Sequence, residues 1–191
     1  MPRVVAFLRA INVGGRTVPM TDLRRHFEAL GLAGVETFIA SGNVVFASRA
    51  RTLATLEQAI ETRLHAALGY EVHTFLRTEA EVAAIAGYQP FSPARMRDAG
   101  ALNVGFLAAP LKAPEVDRLM SLKTDIDDFH VQGREVYWLC RLKQSQSTFS
   151  NQVFERALKV RTTFRGAATI ARLAAKYGFV PPAGPTGRCT S

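Results

Sequence analysis

The sequence predicts an α+β chain of two linked ferredoxin-like units, each an antiparallel sheet with helices on one face. Three observations carry this reading. Over residues 1–77, apolar runs of strand length and stripes at helical spacing follow the order βαββαβ. Over residues 101–177 the order is βαββαα. The 191 residues, 48% hydrophobic and 21% charged, can also bury a sizeable core without disulfide or metal support.

The elements follow in order. Residues 4–10 (VVAFLRA) are an apolar run of strand length, and Asn12 to Gly15 form a turn. Pro19 suits a first helical turn, Met20, Leu23, Phe27 and Leu30 recur at helical spacing, and Gly31 stops the helix. Residues 35–40 and 44–48 read as a hairpin around Ser41-Gly42-Asn43. Leu53, Leu56, Ile60, Leu64 and Leu68 stripe a second helix that ends at Gly69, and residues 71–76 read as a strand. Residues 78–100 are a linking helix and loop, opened by the capping box Thr78-x-x-Glu81. The second unit begins with a strand at 101–108 and a short helix after Pro114. A hairpin around Gln132-Gly133 joins strands 125–131 and 134–140. Helices follow from Phe149 to Leu158 and from about Phe164 to Tyr177, and residues 178–191 form a mobile tail. The predicted core contains Leu8, Leu23, Phe27, Ile39, Val45, Leu56, Ile60, Phe106, Leu119, Tyr137 and Leu139. Tyr137 and Trp138 alternate on a strand, so one is expected inside and the other outside.

Charge is unevenly placed. The formal net charge is +8, and residues 134–191 hold the whole excess, with Glu135 and Glu155 as their only acids. Such asymmetry suits an anionic partner, nucleic acid or a phosphorylated ligand; a solvated helical face is the plainer reading. Arg outnumbers Lys 19 to 5, and arginine suits bidentate phosphate contact. Arg156, Lys159, Arg161, Arg172 and Lys176 are the candidate basic surface, and together with Arg165 they are expected to form one continuous patch across the last two helices and the strand ending at Arg141.

Catalytic constellations are poor. His26, His65, His73 and His130 lack zinc-type spacing, so neither a metal nor a cofactor is expected. Asp125, Asp127 and Asp128 lack the glycine and later glutamate of a calcium loop and read as solvated turn charges. Cys140 and Cys189 make no disulfide framework. No run reaches the ~20 apolar residues of a membrane helix. Met1 to Ala10, broken by Arg9, reads as a strand rather than a secretory signal, so a cytoplasmic setting is expected. Phe7 and Phe46 sit on the strands where an RNA recognition motif carries its stacking aromatics. SGNVVFAS lacks that motif's third-strand pattern, so the sheet face is expected to pack on the second unit.

Three segments stand out together: LRAINVGG at 8–15, ETFIASGNVVF at 36–46 and STFSNQVFERALKV at 147–160. In order and spacing they resemble the family known as domain of unknown function 1697, over about residues 4–177. The resemblance implies an α+β fold of two small antiparallel units and no particular activity. In its C-terminal pattern Ser147, Asn151, Thr163, Arg165 and Thr169 match, while Thr148, Phe164, Gly166 and Ala167 depart from it.

The residues themselves suggest an anion site. Asn12, Gly14 and Gly15 can present backbone N–H groups near a helix start, with Arg9 in reach; a glycine-requiring turn explains the same residues. Ser147 and Thr163 read as helix N-caps, and Arg165 as a first-turn arginine at the wrong end of a helix dipole. The anion-binding candidates are thus Arg9, Asn12, Gly14, Gly15, Ser147, Asn151, Arg165 and Thr169. The expectation is a non-catalytic binding protein with a basic C-terminal surface. The alternatives are an enzyme on a phosphorylated small molecule, with the Asn12–Gly15 loop, Ser147 and Arg165 around one pocket, and a dimerisation module with an exposed apolar patch.

Overall fold

The computed structural model describes residues 1–11, 15, 17–39 and 42–181. The first unit comprises β1 (Arg3–Leu8), α1 (Met20–Glu28), β2 (Ala33–Phe38), β3 (Asn43–Ala47), α2 (Leu53–Leu68) and β4 (Thr74–Thr78). Its antiparallel sheet has the order β2-β3-β1-β4. Helices α3 (Glu79–Gly87) and α4 (Pro93–Arg97) follow. The second unit comprises β5 (Ala101–Phe106), α5 (Ala113–Met120), β6 (Asp127–Gln132), β7 (Glu135–Cys140), α6 (Asn151–Leu158) and β8 (Thr163–Gly166), and α7 (Ala167–Tyr177) is the last element among the described residues. Its sheet order, β6-β7-β5-β8, repeats that of the first.

The predicted fold class holds, with local corrections. The second unit runs βαββαβ and then α7, not βαββαα, because Thr163 to Gly166 pair with Phe106 to Asn103 before the last helix starts. A four-residue strand running straight into a helix leaves no alternation to read. The presumed loop 88–100 contains α4, started by Ser92 as N-cap and Pro93. The Thr78–Glu81 capping box and the left-handed Gly69 cap are where they were expected. Residues 182–191, most of the predicted tail and with it Cys189, lie outside the described residues. The tail's first part is packed: Phe179 is buried against Tyr177.

Three cores lie between the layers. Val4, Ala6, Leu8, Val44 and Phe46 face α1 and α2. Val136, Trp138 and Cys140 face Phe154 and Leu158 of α6. Between the sheets, Val5, Phe7, Val45 and Phe75 meet Val104, Phe106 and Tyr137, with Val82 of α3 and Ile170 and Leu173 of α7 completing the layer. The rings of Phe7 and Phe106 stack at 3.8 Å and 9°. Both faces of each sheet are therefore covered. That is why β1 reads as an unbroken apolar run, and why Tyr137 and Trp138 are both buried rather than one being exposed. Phe7 and Phe46 point to opposite faces, which removes the RNA-stacking surface. Of the predicted core, only Ile39 is exposed (44%), because it leaves β2 in a left-handed turn with φ 50°.

The only two acids of the basic C-terminal third both hold arginines of the first unit. Arg77 on β4 is fully buried, and its Nε donates to Glu135 Oε1 at 2.6 Å. Its Nη2 donates to the carbonyls of Leu107 (2.9 Å) and Arg134 (3.0 Å). Arg9 donates from Nε and Nη2 to the two oxygens of Glu155, both at 2.6 Å. The outer edge of β4 is closed by side chains: Glu61 accepts from Thr74 N at 2.7 Å and Glu57 from Leu76 N at 2.8 Å.

Candidate functional site

The end of β1, the β2–β3 turn and β8 converge. Leu8 N donates to Gly42 O at 2.8 Å. Ala10 (φ 64°), Ile39 (φ 50°) and Gly42 (φ 74°) are all left-handed, so both chain segments turn sharply here. A Cβ on Gly42 would lie 3.2 Å from Leu8 Cβ and 3.3 Å from Ile11 Cβ. Gly42→Ala is therefore expected to cost about 1–3 kcal/mol, from close contact and positive φ together. Urea denaturation of the variant checks this, and an unchanged midpoint would refute the close approach.

Arg165 locks the convergence. Its Nε donates to Asn43 Oδ1 (2.7 Å), Nη2 to Leu8 O (2.7 Å), and Nη1 to Thr163 Oγ1 and Phe164 O (both 2.8 Å). Asn43 is 1% exposed. Burial pushes the Arg165 pKa down to about 10, which leaves the guanidinium charged at neutral pH. Arg165 is thus a strut on β8 between the units. It is neither a first-turn residue of a helix nor part of a helical patch with Arg172 and Lys176, which lie on α7. Thr163 lies in β8 and is no N-cap.

Beside this strut, α6 and the segment after it shape a cleft of about 560 Å³ lined by Gln152, Glu155, Arg156, Lys159, Val160 and Arg161. Arg156 and Lys159 sit at the carbonyl end of α6, where cations complement the helix dipole. Lys159 caps the helix in the left-handed conformation (φ 59°), which turns the chain towards β8. Glu155 is the one carboxylate among the lining residues. Burial alone would raise its pKa. The Arg9 guanidinium, the Thr162 N–H at 3.1 Å and Arg161 at 3.4 Å outweigh burial and hold it below the usual carboxylate range, so it is ionised and already compensated. Among the described residues, Arg156 and Lys159 make no ion pair. A second cleft, about 430 Å³, adjoins the first through Val160 and Arg161 and reaches β4 and the β5–α5 loop.

The other candidates fall elsewhere. Asn12 and Gly14 lie outside the described residues, and Gly15 is an exposed turn glycine with φ 80°. Arg9 is committed to Glu155. Ser147 is not an N-cap, a role Ser150 fills. Its hydroxyl instead lies 2.8 Å from Asp127 Oδ2, while Trp138 Nε1 donates to Asp127 Oδ1 at 2.7 Å. Asp127 is 1% exposed and Asp128 pairs with Lys123 and Arg95, so of the three acids only Asp125, exposed in the bend before β6, keeps the character of a solvated turn charge. Asn151 opens α6, and its Oδ1 is buried without a partner among the described residues. Thr169 is half-buried on α7. Ser147 and Arg165 therefore sit in separate hydrogen-bond networks rather than around one pocket. The pKa of the buried Cys140 thiol is pushed up by desolvation, which disfavours the thiolate. No group of three or more potential metal ligands occurs among the described residues, nor any helix long and apolar enough to cross a membrane.

The basic residues divide into two groups. Arg156, Lys159 and Arg161 flank the α6 cleft, whereas Arg172 and Lys176 lie on α7, across the second sheet. Lys176 is 3.7 Å from Glu36, and its Nζ stands over the rings of Tyr177 (4.9 Å) and Phe38 (5.7 Å). A sheet separates the two helices, so the single patch expected from the sequence does not form. Local reading missed Gln152, Val160 and above all Glu155 as parts of the site. The scarcity of acids after residue 133 was the signal that could have singled out Glu155.

Comparison with known proteins agrees with the fold. The chain is similar to the conserved bacterial protein SP0830 from Streptococcus pneumoniae, with a TM-score of 0.70 at 24% identity, over 93% of this chain and 99% of that one. At that identity the likeness establishes the fold alone. Among curated proteins no sequence matches. The profile of a family described as protein of unknown function (DUF1697) matches residues 1–137, which contain the LRAINVGG and ASGNVVF segments joined at Leu8 and Gly42 and end ahead of the α6 cleft. The chain therefore belongs to the DUF1697 family of proteins of unknown function.

Proposed function

We propose that the protein binds a phosphorylated small molecule in the α6 cleft and acts as a binding protein rather than a catalyst. The observation that carries this reading is the charge balance of the cleft. Arg156, Lys159 and Arg161, all exposed, line an open groove of ligand size whose single carboxylate, Glu155, is already neutralised by Arg9. The separation of the basic residues onto opposite faces of the second sheet favours a compact anion over a nucleic acid, which needs a continuous track of cations. Arg156 and Arg161 supply planar forks suited to phosphate oxygens, and Lys159 a mobile point charge.

Calorimetric titration with inorganic pyrophosphate at low salt tests this. The reading expects saturable binding that weakens at least tenfold in the Arg156→Ala/Lys159→Ala double variant and is untouched by Arg172→Ala. Absent binding, or equal loss from Arg172→Ala, would overturn it. So would a duplex oligonucleotide that binds far more tightly than pyrophosphate, with log affinity falling by about 0.9 per neutralised phosphate as log salt rises.

A further inference from the structure

We infer that the ligand is a phosphate monoester carrying an apolar ring body, its phosphate in the α6 cleft and its body in the adjoining cleft between the two units. This rests on the preceding reading and adds the ligand's class and orientation. The two clefts share Val160 and Arg161 in their linings, so Arg161 is placed to touch a molecule that reaches across both. Their linings differ in kind. The first is cationic, while Phe75, Ala109, Pro110, Leu111 and Val160 give the second apolar walls.

The charge balance of the two clefts sets the orientation. Glu61 accepts from Thr74 N at 2.7 Å and Glu115 from Lys112 N at 2.7 Å. Both are held in place by backbone donors, and they balance Lys112 and Arg161 in the same lining, whereas in the first cleft three cations face one carboxylate; the phosphate is therefore favoured in the first cleft and an uncharged ring is tolerated in the second. The volumes, about 560 and 430 Å³, leave room for a phosphate with its hydration on one side and a one- or two-ring body on the other. Both halves of such a ligand are needed for full affinity: the charge selects the cleft, and burial of the ring adds to it.

The experiment compares methyl phosphate with 1-naphthyl phosphate on the full chain, by ligand-observed NMR and naphthyl fluorescence. The aryl ester is expected to bind at least tenfold more tightly; burying roughly 60 Å² of ring surface suffices for that factor. Ala109→Asp places a charge in the apolar wall at an exposed position. It should abolish the aryl advantage, with methyl phosphate binding weakened by no more than about twofold, and a retained circular-dichroism spectrum reports an intact fold. If both esters bind equally, the inference fails and the phosphate reading stands. If neither binds, the phosphate reading itself fails. An aryl advantage indifferent to Ala109→Asp would place the ring elsewhere and also overturn the inference.

Discussion

Replacing Arg77 by alanine is expected to cost about 3–5 kcal/mol of stability, the usual price of removing one partner from a buried ion pair. The side chain is fully buried, so nothing but protein satisfies its donors. Its loss strands the Glu135 carboxylate, 13% exposed, and the carbonyls of Leu107 and Arg134 at the junction of the two sheets. Arg77→Lys is expected to recover little, because an ammonium cannot reach Glu135 and both carbonyls in one fork. Pairing Arg77→Met with Glu135→Leu should be milder than either change alone, since no charge is then left uncompensated. Chemical denaturation of the four single variants and the double variant measures this. A loss below about 1 kcal/mol for Arg77→Ala would show that the pair does not join the units.

Phe106→Ala is the second large effect, about 3–5 kcal/mol. Phe106 is fully buried, stacks on Phe7 across the gap between the sheets, and lies 5.4 Å beneath the Arg77 guanidinium. Truncation leaves a cavity that two sheets, each anchored to its own helices, can close only in part. Phe46→Ala removes a ring of the same size from beneath α1 and α2, on the other face of the first sheet. Both should be costly, but only Phe106→Ala should increase exposure of the β1 and β5 amides to hydrogen exchange ahead of global unfolding. Equal protection patterns in the two variants would argue against face-to-face packing of the sheets.

Much of the first unit was legible because its signals are local. The stripe from Leu53 to Leu68 ends at a glycine with the required left-handed φ, and the Thr78–Glu81 box closes as its spacing predicts. The second unit was legible to β7. There the signals shorten: β8 is four residues long, with Arg165 turned into the inter-unit layer, and its sequence runs on into α7. Taken with α7, it passes for helix. The candidate site was legible as charge and not as geometry. Arg156, Lys159 and Arg161 stood out by sign alone. The partners that decide what each cation can do lie far off in sequence, Glu155 being 146 residues from Arg9 and Asn43 122 from Arg165. No local pattern carries contacts of that separation. Asp127 was misread for the same reason: a carboxylate at a strand start looks solvated until Trp138 and Ser147 close over it.

The account turns on whether anions enter the cleft beside α6. The most direct measurement is the ¹H–¹⁵N spectrum of the full chain during titration with pyrophosphate. The account predicts saturable shifts concentrated at the amides of Gln152, Arg156, Lys159, Val160 and Arg161, with those of Arg172 and Lys176 on α7 unmoved. Shifts of similar size on α7, or a uniform drift across the basic surface without saturation, would contradict it.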